Sequence, residues 1–145
     1  MKAIVDTSIW SLALRRKQPE AILANILQDL IAEDRLASIL QDLIADGRVI
    51  MIGAIRQEII SGIKHQQQYE KLKDNLHAFP DLLLNAEDYE LAANYFNIYC
   101  RQGIQGSNTD FLICAIANRR NYEIFTTDND FVNFSQYLPI VLTKL

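Results

Sequence analysis

The sequence predicts an α/β fold with an open parallel sheet of about four to five strands and helices on both faces. Short apolar runs of strand length alternate along the chain with longer helical patterns, as in strand–helix–strand units. The runs are apolar throughout, which is typical of parallel strands buried on both faces. Hairpin turns do not separate them. With 145 residues and no linker, the chain is expected to form one domain, residues 1–145.

The first half of the chain begins with a strand over residues 2–6, which a helix follows directly. Pro19 suits the first turn of a second helix. That helix extends to Asp46 and is ended by Gly47. Residues 49–53 (VIMIG) are apolar and of strand length, so they form the next predicted strand.

Helices dominate the middle of the chain. Pro80 interrupts the helical pattern. Asn85 is a helix N-cap, with two acidic residues in the turn after it. The predicted segments are helices over residues 54–63, 66–79 and 85–102, and a short strand over residues 82–84.

The last third of the chain returns to strands. An amphipathic helix over residues 109–120 leads to a strand over residues 123–127, which ends at Asp128. Residues 127–130 have the composition of a turn. Residues 139–143 (PIVLT) close the chain as the last predicted strand.

Charge and hydropathy limit the classes of function that this protein can have. A net charge of −4 does not indicate a nucleic-acid binder, although cations bound to acidic residues would reverse their charge locally. Basic clusters at residues 15–17 and 119–120 are typical of solvated surface. No apolar run approaches the ~20 residues that span a bilayer, and Asp6 comes too soon for a signal peptide. We therefore expect a cytoplasmic protein with no membrane partner.

The cysteines and histidines do not indicate catalysis or zinc binding. Cys100 and Cys114 lie in apolar helical patterns and are predicted to be small buried side chains without a disulfide. His65 and His77 lie in a polar stretch that is predicted to be an exposed helix.

A tandem repeat occupies the second helix: residues 23–35 recur directly as residues 36–48, with only three differences. Thirteen helical residues add about 20 Å and turn the apolar face by ~220°. One continuous helix therefore cannot present both copies to the same core. Three arrangements stay open: an elongated helix that offers a second apolar stripe to a partner chain, a hairpin broken near residues 33–35, or one copy looped out. We favour the first.

Four acidic residues stand where a strand ends or a helix begins: Asp6, Glu58, Asp110 and Asp128. In an open α/β sheet such ends meet at one edge, in the crevice where ligands bind. Carboxylates gathered there repel one another and raise each other's pKa unless a cation neutralises them. Because hard cations favour oxygen ligands, the simplest interpretation is a site for Mg²⁺ or Mn²⁺.

Neighbouring polar side chains can support such a site. Hydroxyls and an amide that can hold the carboxylates or a metal-bound water come from Thr7, Ser8, Asn108 and Thr126. Taken singly, each acid also has a structural interpretation, as part of an N-cap cluster, a solvated helix or a turn. Taken together, four acids at successive element ends are a costly arrangement without a cation.

Four segments of the chain carry a resemblance to a known family. They are IVDTSIW at 4–10, RQEIISG at 56–62, NTDFLICAIA at 108–117 and TTDNDF at 126–131. In this order they resemble the PIN-domain family, and more narrowly the VapC-type toxin subunit of bacterial toxin–antitoxin pairs. The tandem repeat is the one departure, and it affects dimer geometry and partner binding more than the metal site.

The resemblance implies a metal-dependent endoribonuclease that acts as the toxin of such a pair. It assigns catalysis and metal ligation to the matching Asp6, Glu58, Asp110 and Asp128, with Asp130 as a fifth ligand or supporting group. The implied cofactor is Mg²⁺, with Mn²⁺ as a substitute. The implied partners are an RNA substrate, a cognate antitoxin protein and a second copy of the chain in a homodimer.

The chemistry of the residues agrees with hydrolysis by water. No Ser, Cys or His is placed as an activated nucleophile, so attack by metal-activated water predicts a 5′-phosphate and a 3′-hydroxyl. Basic side chains such as Arg15 or Arg119 can position the RNA. The rival interpretation is a catalytically silent PIN-like module that binds RNA or protein. Phosphoryl transfer through an aspartyl phosphate is a third, although Asp6 lacks the second acid two residues on.

Overall fold

The computed structural model describes residues 1–14 and 34–145 of the chain. The strands in this part of the chain are β1 (Ala3–Val5), β2 (Val49–Ile50), β3 (Glu123–Phe125) and β4 (Val141–Leu142). The helices are α1 (Thr7–Leu14), α2 (Asp34–Ala45), α3 (Gly53–Ile60), α4 (Gln66–Leu76), α5 (Ala86–Arg101), α6 (Asn108–Arg120) and α7 (Asn129–Phe134). None of these helices is long and apolar enough to cross a membrane.

The sheet is four-stranded and parallel, in the order β2-β1-β3-β4. Ala3 of the central strand β1 lies opposite Val49 on one side and Glu123 on the other. Helices flank this sheet, so the predicted fold class is confirmed. Because all the strands run the same way, their carboxyl ends share one edge of the sheet.

Helix α6 differs from its predicted amphipathic character. Every residue from Phe111 to Ala117 is buried, and the helix packs closely against α5. The Phe96 and Phe111 rings of these two helices meet edge to face, with centroids 5.8 Å apart. The middle of the helix is therefore buried on all sides, as expected of a central core helix, while its polar residues lie at the two ends.

The second copy of the tandem repeat lies in the core. Leu36, Leu40 and Leu43 are buried on one face of α2, at the spacing of an apolar helix stripe. The helix ends at Ala45, and Gly47 adopts a φ of 66°, in the left-handed region that glycine enters at low cost. Residues 23–33 of the first copy, and the helix start predicted at Pro19, lie outside the described residues.

Several predicted boundaries are corrected by the structure. The strand predicted over residues 82–84 is wrong: the chain meets the sheet one residue earlier, through a single parallel bridge between Met51 and Asp81. The helix predicted to reach residue 79 ends at Leu76. The turn predicted after Asp128 continues into α7. The closing strand is limited to β4, because only Val141 and Leu142 pair with β3.

Candidate active site

Asp6 lies at the carboxyl edge of the sheet, directly after the central strand β1. Its backbone N–H donates to the Phe125 carbonyl of β3 (2.9 Å), which continues the pairing of the two strands by one residue. The side chain is only 6% exposed. Its Oδ2 accepts a 2.7 Å hydrogen bond from the Thr126 hydroxyl. A buried carboxylate is therefore fixed at the end of the central strand.

Thr126 links the loops that follow β1 and β3. Its Oγ1 donates to Asp6 and accepts from the Asp128 backbone N–H at 2.9 Å. Ser8 Oγ lies 3.2 Å from the same oxygen, and it accepts from the Thr127 N–H at 3.0 Å. Because the Thr126 proton already points to Asp6, the Ser8 hydroxyl donates in this contact. One buried hydroxyl thus positions two of the four acids.

Asp128 is the N-cap of α7 and is half-buried. Its Oδ1 accepts from the Asp130 N–H at 2.9 Å, which satisfies one of the free amides of the first helical turn. Asp130 lies in that first turn and is exposed. The cap therefore turns the Asp128 carboxylate toward its own helix and leaves Asp130 at the outer rim of the site.

Asp110 is held in a capping box at the start of α6. Its N–H donates to Ser107 Oγ at 3.1 Å, and the Ser107 N–H donates to Asp110 Oδ2 at 3.0 Å. The N-cap of α6 is therefore Ser107, three residues before Asp110. Asn108 is the first residue of the helix and is exposed.

Three of the acids are electrostatically coupled. Burial raises the pKa of the Asp110 carboxyl, and the charges of Asp128 and Asp6 raise it further, against the lowering effect of the two hydrogen bonds with Ser107. Burial also raises the pKa of the Cys114 thiol, again with the charges of Asp110 and Asp6. Cys114 is fully buried, as predicted, and does not provide a thiolate nucleophile.

Glu58 reaches the site from α3 through a hydrogen bond to the residue after Asp6. Thr7 Oγ1 donates to Glu58 Oε1 at 2.9 Å. Glu58 is exposed and lines a cleft of about 520 Å³ together with Thr7 and Thr109, the residue before Asp110. Glu58 therefore stands on the far wall of a cleft that opens between α3 and the start of α6.

Arg56, two residues before Glu58, was not singled out from the sequence. Its Nε donates to Asp81 Oδ1 at 2.9 Å, and its terminal nitrogens donate to the Leu76 and Phe79 carbonyls. These contacts tie α3 to the segment after α4, and so fix the helix that carries Glu58. Only the tertiary contact identifies this role, because Asp81 is 25 residues away along the chain.

The two arginines expected on the surface, of which Arg119 is exposed and Arg120 half-buried, pair with a buried acid. Arg119 and Arg120 both bind the carboxylate of Asp88, which is 0% exposed. Burial alone would raise the pKa of Asp88, but the hydrogen bonds from Arg120, the Asn85 amide and Arg119 lower it below its usual range. Arg119 lies nine residues beyond Asp110, about 14 Å along α6. Its role as an RNA contact is not supported, and residues 15–17 lie outside the described range.

The donor set fits a hard cation in chemistry. Each of the four carboxylates has one oxygen in a hydrogen bond to a protein group, and the second oxygen of each, which bonds to no other described residue, can bind a cation. Oxygen ligands alone suit Mg²⁺. As the side chains stand, however, no three Asp, Glu, His or Cys residues in the described ranges are close enough together to hold one ion.

The chain belongs to the PIN domain family, whose model matches residues 3–136. PIN domains are generally Mg²⁺-dependent nucleases. The matched range includes every acid discussed for the site, from Asp6 to Asp130. No curated protein sequence matches the chain.

Proposed function

We propose that this protein is a Mg²⁺-dependent endoribonuclease of the VapC type, the toxin of a toxin–antitoxin pair. One observation carries the proposal: Asp6 and Asp128 follow the neighbouring strands β1 and β3 at the carboxyl edge of the parallel sheet and share the Thr126 hydroxyl, and the charges of both raise the pKa of Asp110. Such mutual repulsion is costly in a protein without a cation. The family match supports the nuclease activity, and the VDTS and T-x-D-x-D-F motifs support the VapC type.

The four acids are Asp6, Glu58, Asp110 and Asp128, and they would hold Mg²⁺, with Mn²⁺ as a substitute. When bound, the cation lowers the pKa of water and screens the phosphodiester from the carboxylates. The protein groups pre-organise this site: Thr126 fixes Asp6, Ser107 fixes Asp110 and Thr7 fixes Glu58. Hydrolysis by water leaves a 5′-phosphate and a 3′-hydroxyl, without a 2′,3′-cyclic product.

The remaining partners belong to the same proposal. The cognate antitoxin covers apolar helical surface and blocks the acids, and the toxin forms a homodimer through its helices. Both proteins act in the cytoplasm. A catalytically silent RNA- or protein-binding module is the second candidate, because no three acids in the described ranges form a group that could hold one ion.

RNA cleavage with and without the metal tests the proposal. We would incubate the protein with tRNA, ribosomal RNA and messenger RNA, with Mg²⁺, Mn²⁺ or EDTA, beside Asp6→Asn. Glu87→Gln is the matched control, because it removes an exposed acid from the first turn of α5. We expect cleavage that requires the metal, persists in the control and disappears in Asp6→Asn. Metal binding without cleavage of any of the three RNAs would favour the silent module.

A further inference from the structure

A second groove, of about 390 Å³, opens beside the acids between α7 and the loop that joins α5 to α6. Three carboxamides, one phenol and one carboxylate line it: Gln105, Asn133, Gln136, Tyr137 and Asp130. All five side chains are exposed. Tyr137 is 52% exposed, so part of its ring is open to solvent. None of these residues has a role in the site described above, apart from the rim position of Asp130.

The groove adjoins the acid site through Asp130. Asp130 lines it and donates its backbone N–H to Asp128 Oδ1 at 2.9 Å. A chain molecule whose phosphodiester lies at Asp128 would therefore place its next unit over Asp130 and into the groove.

The walls of the groove are held in place by packing. A Cβ on Gly106 would lie 2.8 Å from the Phe134 ring and 2.9 Å from the Phe111 ring, so the loop is pressed against α7. The Tyr99 hydroxyl donates to the Tyr137 carbonyl at 3.1 Å, and the two rings lie 6.2 Å apart. The exposed Tyr137 ring is thus pre-organised before any ligand binds.

The charge of the groove selects its occupant. Its one charged side chain among those named is the Asp130 carboxylate, which repels a phosphate. Carboxamides and a carboxylate oxygen instead accept from the exocyclic amino groups of bases, and an exposed aromatic ring stacks on any base. Sequence-specific RNA recognition generally uses unpaired bases stacked on such rings.

We propose that this groove binds one unpaired base of the RNA, next to the phosphodiester that is cleaved. The base stacks on Tyr137, and the carboxamides of Gln105, Asn133 and Gln136 bind its edge. The inference rests on the proposed nuclease function and adds to it a base-binding subsite beside the acids, built from Tyr137 and the three carboxamides.

RNA binding and RNA cleavage are measured separately, so that the base-binding groove and the nuclease activity can each be contradicted without the other. The probe is a fluorescent single-stranded RNA oligonucleotide of mixed sequence, compared with an abasic oligonucleotide of the same length. Affinity is measured with Ca²⁺ in place of Mg²⁺, on the wild-type protein, Tyr137→Ala and Tyr137→Phe. Thermal melts check that each variant is folded.

We expect the wild type and Tyr137→Phe to bind the oligonucleotide at least about 10-fold more tightly than the abasic form, because both keep the ring. Tyr137→Ala should lose most of that difference. The proposal that the groove binds a base would be contradicted if the wild type bound the two oligonucleotides equally well. It would also be contradicted if Tyr137→Ala kept the full preference for the base-containing oligonucleotide. If the wild type prefers the base-containing oligonucleotide but cleaves no RNA with Mg²⁺, the groove stands and the nuclease proposal fails.

Discussion

Replacement of Thr126 by valine tests how the site is built. Valine keeps the shape of the side chain and removes only the hydroxyl. That hydroxyl donates to Asp6 at 2.7 Å and accepts from the Asp128 N–H at 2.9 Å. Since Thr126 is 7% and Asp6 is 6% exposed, water cannot easily replace either bond. The variant should therefore lose stability as well as the alignment of two acids.

The size of the loss follows from the groups left without partners. A hydrogen bond to a charged group contributes about 1.5–3 kcal/mol. Loss of the acceptor for the half-buried Asp128 N–H adds roughly 1 kcal/mol. We therefore expect Thr126→Val to lower the free energy of unfolding by about 3 kcal/mol at pH 7.

Urea unfolding at pH 7 measures this difference. Thr126→Ser keeps the hydroxyl and should lose only about 1 kcal/mol, from the missing methyl group. Thr127→Val is the second control, because the Thr127 side chain is exposed and such changes stay within about 0.5 kcal/mol. If Thr126→Val proves no less stable than Thr127→Val, the hydroxyl does not organise the site and the reasoning is refuted.

Three further predictions concern the ion pair, the repeat and the groove wall. The lowered pKa of Asp88 means that the folded protein holds this carboxylate ionised at lower pH than the unfolded chain does. Its stabilisation is therefore complete above a pH of about 4 and is lost as pH falls through the folded pKa. Asp88→Asn should be less stable by about 3 kcal/mol at pH 7, and urea unfolding should show this difference shrinking only below a pH of about 4. A difference between Asp88→Asn and the wild type that is already smaller at pH 6 than at pH 7 would contradict the assignment. Deletion of residues 23–35 removes the first repeat copy and keeps the buried leucines and Gly47 of the second. Deletion of residues 36–48 instead places Asp34 at the position of Gly47, where the backbone φ is 66°. In urea unfolding, the second deletion variant should be less stable than the first by about 1 kcal/mol, because aspartate enters the left-handed region at a cost. Asp34→Gly in that variant should restore the lost stability. Equal stability of the two deletion variants would contradict this prediction. Gly106→Ala should lower stability by about 1–3 kcal/mol, because its Cβ meets two rings at 2.8 and 2.9 Å. An unchanged melting temperature would show that the loop moves aside freely.

The sequence determined which residues stand at the ends of the strands. An apolar run followed by an acid predicted that Asp6 and Asp128 would follow β1 and β3, and the structure has both at the same edge of the sheet. This worked because strand positions depend on local hydrophobic patterns, and parallel strands place their carboxyl ends together. The N-cap role of Asn85 was readable for the same reason, since capping depends on residues a few positions apart.

Local patterns did not determine how the acids are held. The Thr126 hydroxyl and the Asp6 carboxylate are 120 positions apart. The Thr7 hydroxyl and Glu58 are 51 positions apart. Contacts at such separations depend on how the elements pack, which periodicity does not encode. The sequence had named Thr7 and Thr126 as supporting groups but could not assign either to a particular acid.

The tertiary structure alone decided which charges are free to act. Arg119 is exposed, as expected from the sequence, but the packing of α5 on α6 also brings its guanidinium to the buried carboxylate of Asp88. The middle of α6, from Phe111 to Ala117, is buried on every side, although the helix was interpreted as amphipathic. A buried charge must be paired, and its partner is chosen by the elements that meet there. The sequence therefore identified the candidate acids, whereas the fold decided which basic residues pair with other acids elsewhere in the structure.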